Sequence, residues 1–242
     1  MTRLLNGIVA FGSALLLAVT LIGAGFAAVA IPDAATATLS RAFSGCDQPN
    51  TPFTADELAS MAIAGKRYTF DDNDREKLDA AIAEANAAAE ADGRAGTLTR
   101  ESAARSLPAD AISHLDDVYR VASAAKPALA IVAALCIAGL AHVAVRISRR
   151  ALGRTLMAGG GLVLAAFFAL GAWAAIDFDG LFAAFHSLFF QAGTWTFPYD
   201  SLLITLYPTA FWMSMGGIWL AVTCIASIIC IIVGRLLCSE TE

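Results

Sequence analysis

Four stretches of this chain, residues 4–31, 127–145, 155–176 and 201–234, contain no Asp, Glu, Lys or Arg. A helix rises 1.5 Å per residue and the hydrocarbon of a bilayer is about 30 Å thick, so roughly 20 apolar residues span it. Each stretch is close to that length or exceeds it. Pro208 interrupts the last one, which places the start of its span near Thr209. With 58% hydrophobic residues and a mean hydropathy of +0.66, the chain is too apolar for an ordinary soluble domain. The expected fold is an all-α integral membrane protein with four transmembrane helices, at 4–31, 127–145, 155–176 and 209–234. Ala28 and Ala30 resemble a signal-peptide cleavage site. The apolar run before them is longer than the roughly 7–15 residues of a signal core, so it reads as an uncleaved first span.

Cations set the expected orientation. Arg146, Arg149, Arg150 and Arg154 crowd the loop 146–154, Arg3 precedes the first span, and Arg235 opens the tail 235–242. Residues 177–208, between the third and fourth spans, carry neither Lys nor Arg. The positive-inside rule then assigns both termini and the arginine loop to the cytoplasm. It assigns the polar insert 32–126 and the segment 177–208 to the opposite face. Topology thus accounts for the arginine cluster without nucleic acid. Of the five cysteines only Cys46 falls on the outer side, so no external intramolecular disulfide is available.

The insert 32–126 reads as a helical cap placed between the first and second spans. Thr54 and Glu57 have capping-box spacing. An Ala/Glu/Lys-rich run then puts Leu78, Ile82 and Ala85 on one face before Gly93 stops it. A third helix starts at Pro108, suited to a first helical position, and runs toward Pro127 at the membrane. Its apolar face, Ile112, Leu115, Val118 and Tyr119, needs a platform. The cap alone has too few large apolar residues to bury a sizeable core, and 185–211 is the expected platform.

That stretch, FHSLFFQAGTWTFPYDSLLITLYPTAF, is aromatic-rich and broken by Gly193, Pro198 and Pro208. Residues 177–208 are therefore expected to re-enter or skirt the membrane surface rather than cross it. The stretch holds His186, one of three histidines. His114 lies on the same expected side and at a similar depth, whereas His142 sits near the inner end of the second span and reads as a packing residue. Asp117, three residues after His114, shares its helical face and is positioned to accept an imidazole N–H. Asp116 points elsewhere. Asp200 is open between a catalytic role and capping the helix that begins beside it.

These residues also resemble a known family. HLDDV at 114–118 and the pattern of Phe185, His186, Phe189, Phe190, Trp195, Phe197, Asp200, Leu203, Ile204, Pro208 and Phe211 resemble the two signature motifs of the lipoprotein intramolecular transacylases. Tyr119, followed by Arg120, stands where that family is expected to carry a basic residue. The resemblance implies a four-helix membrane bundle with an extracytoplasmic cap in a bacterial plasma membrane. It implies a substrate, a diacylglyceryl-modified lipoprotein with a free N-terminal cysteine amine, whose sn-2 acyl chain moves to that amine to leave a lyso-form lipoprotein. It gives the catalytic roles to His114 and His186, with Asp117 and Asp200 in support. Phe185, Phe189, Phe190, Trp195, Phe197 and Phe211 would line the acyl or substrate pocket. No cofactor, metal, nucleotide or nucleic acid is implied; lipoprotein and membrane lipid are the partners.

The chemistry suits the residues. An α-amine with a pKa of about 7.7–8.0 can pass a proton to a histidine near 6.5 at a cost of about 2 kcal/mol. The alternative is a non-enzymatic assembly or regulatory protein of the membrane, which needs only packing roles for each histidine. A transporter is disfavoured because the four spans hold no charged residue. A metal-dependent hydrolase is disfavoured because only two histidines, and no cysteine beside them, lie outside.

Overall fold

The computed structural model describes residues 2–239, and the last three residues of the expected cytoplasmic tail lie outside the described residues. The described chain is helical, in the order α1 (Thr2–Ala30), α2 (Asp33–Phe43), α3 (Ala55–Phe70), α4 (Arg75–Ala91), α5 (Ala109–His142), a π-helical turn (Val143–Ile147), α6 (Arg149–Ile176), α7 (Phe178–Ser187), α8 (Leu202–Leu206) and α9 (Thr209–Ser239). Helices α1, α5, α6 and α9 are each long and apolar enough to cross a bilayer. The protein is an all-α integral membrane protein with four such helices. The chain divides into two compact units, one of residues up to 29, 125–181 and from 217, the other of residues 30–124 and 182–216.

In the first unit, Ala18, Val163 and Phe167 form a small buried core, with Leu21, Ile22, Trp219 and Leu220 packed around it. Trp219 donates its indole N–H to the carbonyl of Ile22 at 3.1 Å. Large apolar side chains face outward instead, among them Phe168, Ile137 and Ile176. That pattern suits lipid, because acyl chains are as apolar as the side chains and provide no hydrophobic drive for helices to associate. Close backbone contact supplies the attraction. A Cβ on Gly160 would stand 2.7 Å from the carbonyl of Ser227, and one on Gly234 would stand 2.5 Å from that of Gly153. The hydroxyls of Ser13, Thr155 and Ser227 bond back to carbonyls four residues earlier, whereas that of Thr223 is buried without a partner.

The second unit is built on the caps read from sequence. Thr54 and Glu57 form a reciprocal capping box on α3. Asp74 caps α4, and Gly93, at φ 69°, follows its end. Helix α2 was not resolved as a separate element in the sequence. Its Asp33 takes the ammonium of Lys66 and the guanidinium of Arg67, and Lys66 also donates to the carbonyl of Ile31. Arg105 is buried and holds Asn86, Glu90 and the carbonyl of Leu98, closing the irregular segment before α5.

The core of this unit joins Leu58, Met61, Leu78 and Ile82 to Ile112 and Leu115 of α5 and to Leu202, Leu203 and Leu206. The aromatic-rich stretch is therefore the platform for the apolar face of α5. Backbone bonds fasten it there: Leu202 N–H to Ala103 at 2.6 Å and Gly45 N–H to Thr205 at 2.8 Å. The Tyr207 hydroxyl donates to Ala62 at 2.7 Å.

Two expectations change. Helix α5 begins at Ala109, with the Pro108 carbonyl accepting from Ile112, so Pro108 precedes the helix rather than opening it. It then continues through Pro127 without a break. A proline removes one N–H and costs about 3 kcal/mol in a helix interior, and the helix-forming residues on both sides carry the helix across. Within the segment 177–208, residues 178–187 form α7 and the irregular part is 188–201.

Candidate active site

All the pieces of this site belong to the second unit. His114 occupies the second turn of α5, 8% exposed, between the core residues Ile112 and Leu115. His186 ends α7, where the helix turns into the irregular segment at residues 188–201. Their imidazoles lie 6.2 Å apart, centroid to centroid, with planes inclined by 29°. Two elements far apart in sequence thus bring both sequence-predicted histidines to one place. His142 is exposed at the end of α5.

Aromatic rings enclose the pair. Phe190 touches both imidazoles, at 5.0 Å from His114 and 5.7 Å from His186. Phe197 lies 5.6 Å from His114. Trp195 lies tilted by 33° at 4.8 Å from His186, and Phe185 meets His186 edge-on at 5.7 Å. Phe189 packs on Phe185 and Phe190. Phe211 is buried against Tyr207 and Trp212.

The nearest ring to His186, Phe182 at 4.0 Å, was missed in the sequence. It stands four residues before His186, a spacing that places both on one helical face once α7 is known to be a helix. Trp212, which packs on Phe182, was missed with it.

The carboxylates are arranged differently from expectation. Asp117 accepts from Arg120, three residues on, and makes no bond to His114. Helical spacing offered it both partners, and the charged, flexible guanidinium takes the carboxylate. Asp116 accepts from the Tyr68 hydroxyl and the Asn73 amide. Burial and the Asp116 carboxylate push the Tyr68 hydroxyl up to about 12. The cap of α8 is Ser201, whose hydroxyl accepts from Ile204 N–H; Asp200 is exposed beside it.

Electrostatically, the two imidazoles differ. Both lie outside the uncharged stretch of α5 that begins at Pro127. Burial, and secondarily the charge that His186 carries when protonated, lowers the pKa of His114 to about 4. Burial also lowers that of His186, but the Phe182 carbonyl, 2.8 Å from Nδ1, opposes the shift. That carbonyl only accepts, so Nδ1 carries the hydrogen and Nε2 is left as a lone pair. The Nδ1 of His114 and the Nε1–H of Trp195 are buried without a hydrogen-bond partner. An unpartnered buried polar atom costs about 1–3 kcal/mol, so the site holds polar capacity that its own residues leave unused. Among the described residues, no group of three His, Cys, Asp or Glu side chains is placed to hold a metal ion.

Fold and site together define a polytopic helical membrane protein with two neutral, closely spaced histidines in an aromatic enclosure. The family profile described as "Lipoprotein intramolecular transacylase Lit" matches residues 94–212, a span that contains both histidines. Among solved structures, the membrane integral lipoprotein intramolecular transacylase Lit from Bacillus cereus superposes with a TM-score of 0.72 at 18% identity, covering 98% of this chain and 97% of its own. Two histidine variants of that protein, to arginine and to alanine, give TM-scores of 0.66 and 0.67 at 16% identity, each covering 99% of this chain. No curated protein sequence matches the chain. The chain thus resembles the lipoprotein intramolecular transacylases in its signature residues and shares their fold.

Proposed function

We propose that this protein moves the sn-2 acyl chain of a diacylglyceryl-cysteine lipoprotein onto the lipoprotein's own N-terminal amine. The observation that carries the reading is the pair of neutral imidazoles 6.2 Å apart in an aromatic enclosure. Cation placement supports a bacterial plasma-membrane topology with both termini inside and residues 32–126 and 177–208 outside.

His186 is the general base. Its Nε2 lone pair is aimed by the hydrogen bond at Nδ1, and a carbonyl acceptor there favours the imidazolium that forms. As the amine nitrogen bonds to the ester carbonyl carbon, its proton passes to Nε2 and the carbonyl oxygen becomes an oxyanion. The bond to the glyceryl oxygen then breaks, and the same proton is returned to that oxygen. His114 is the poorer base. With its pKa near 4, taking the proton from an α-amine would cost about 5 kcal/mol. It stays neutral and offers one N–H to the developing oxyanion. Nucleophile and ester belong to one molecule, so the enclosure's remaining task is to fold them together, which confers the advantage of an intramolecular reaction.

Product mass tests the reading. Purified protein in lipid, given a synthetic diacylated lipopeptide, should yield a product of unchanged mass with one acyl chain on the cysteine nitrogen. The N-acetylated lipopeptide should be inert. Release of free fatty acid from both would refute transfer and indicate a hydrolase, because water needs no amine. No reaction on any diacylated lipopeptide by folded protein would leave the histidines as packing residues of a non-enzymatic protein.

A further inference from the structure

Beside the histidines lies a second space. A cavity of about 430 Å³ is walled on one side by Ser113, Asp117 and Arg120 of α5 and on the other by Phe190, Gln191 and Thr194. Phe190 is the wall it shares with the histidine pair, touching both imidazoles. Aromatic rings dominate the histidine enclosure, whereas this cavity adds a carboxylate with its guanidinium partner, two hydroxyls and an amide to the apolar Val121, Phe189 and Phe190. The Asp117 side chain is 26% exposed and is paired with Arg120, whose side chain is 74% exposed. The carboxylate is fixed on a helix. Its partner is a long, solvent-exposed side chain that can swing away.

We infer that this cavity holds the N-terminal ammonium of the lipopeptide substrate, with Asp117 as its anchor. An ammonium has three N–H donors and no acceptor. The cavity offers it one charged acceptor and the neutral oxygens of Ser113, Gln191 and Thr194. Bound there, the amine waits across Phe190 from the base that will deprotonate it. Arg120 holds the carboxylate until the substrate arrives and is displaced by it. The identity of the ammonium rests on the transacylase reading; the cavity and its acceptors do not. An ethanolamine headgroup presents the same primary ammonium on a lipid, so the test separates the two sources.

Binding is measured in the His186→Gln background, in phosphatidylcholine nanodiscs at pH 6.5. The probe is a dipalmitoylglyceryl-cysteine pentapeptide or its N-acetylated twin. The free-amine peptide should bind about tenfold more tightly, the worth of one charge-assisted hydrogen bond. Asp117→Asn should erase that preference, and Arg120→Ala should preserve or increase it. Equal affinity for the two peptides, or a preference that survives Asp117→Asn, overturns the assignment. So does loss of the preference in Arg120→Ala, which tests the cavity even if the asparagine variant does not fold. Phosphatidylethanolamine that displaces the peptide only when Asp117 is present would give the site to a headgroup and overturn the lipopeptide assignment. An intact amine preference without turnover in the wild type would count against transfer alone, and turnover without the preference against the cavity alone.

Discussion

Replacing His114 by leucine should separate stability from chemistry. The buried imidazole has a folded pKa of about 4 against an ordinary 6.5. Between those values the unfolded chain binds a proton that the folded chain does not. His114 is therefore harmless above pH 6.5, and stability is lost as pH falls from 6.5 toward 4. At pH 5 the loss is about 1.5 pH units at 1.36 kcal/mol each, or about 2 kcal/mol. Leucine cannot titrate, and since Nδ1 has no partner, the replacement breaks no hydrogen bond at that atom. At pH 7.5 the variant should thus fall within about 1 kcal/mol of wild type. At pH 5 it should be the more stable by about 2 kcal/mol, or about 4–8 °C in Tm for a chain of this size. Thermal unfolding in detergent at both pH values reads the difference directly, since every other titrating group except the coupled His186 is common to both proteins. Acyl transfer by the variant should be abolished at every pH. Parallel stability curves would refute the buried neutral imidazole, whatever the activity.

Further outcomes follow from the same geometry. His186→Gln should cut acyl transfer by about 10²–10⁴-fold without lowering Tm, because it removes the proton acceptor but leaves a polar side chain beside the Phe182 carbonyl; product mass spectrometry reads the loss. Arg105→Met should lower stability by about 3 kcal/mol, since it strands Asn86 and the Leu98 carbonyl; a shift of the thermal transition measures it. In intact cells a membrane-impermeant maleimide should label Cys46, which is exposed, and leave Cys238 unlabelled. Burial and the neighbouring Asp47 raise the pKa of the Cys46 thiol, so the labelling is run at alkaline pH. Labelling of Cys238 from outside would reverse the orientation proposed from the arginines.

Periodicity and charge carried most of the fold because they are local. A span is a run of uncharged residues, and a cap is Thr54 with Glu57; neither depends on what lies opposite. The two histidines could be paired from sequence only through their expected side and depth and through the motif around them, and the structure brings them together. What sequence could not give was competition. Asp117 had two partners within helical reach, and a flexible arginine three residues on took it. Ser201 capped a helix for which Asp200 was equally well spaced. Phe182 stayed hidden because its spacing from His186 carries meaning only if residues 178–187 are helical, and the aromatic-rich, proline-broken neighbourhood argued otherwise.

The glycine contacts of the bundle imply an unusual map of tolerated change. Where Gly153 and Gly234 face each other, a single added methyl would meet first a backbone carbonyl, which cannot swing aside as a side chain can. The large outward residues, Phe168, Ile137 and Ile176 among them, are exposed, and acyl chains against them would rearrange around any apolar shape. In a soluble protein the bulky core is guarded and the small surface residue drifts. Here the smallest residues should be the ones that mutation cannot touch, and the largest should exchange freely for one another. A saturation library scored for membrane accumulation would show that inverted order: Ile137→Phe silent, Gly153→Ala lost.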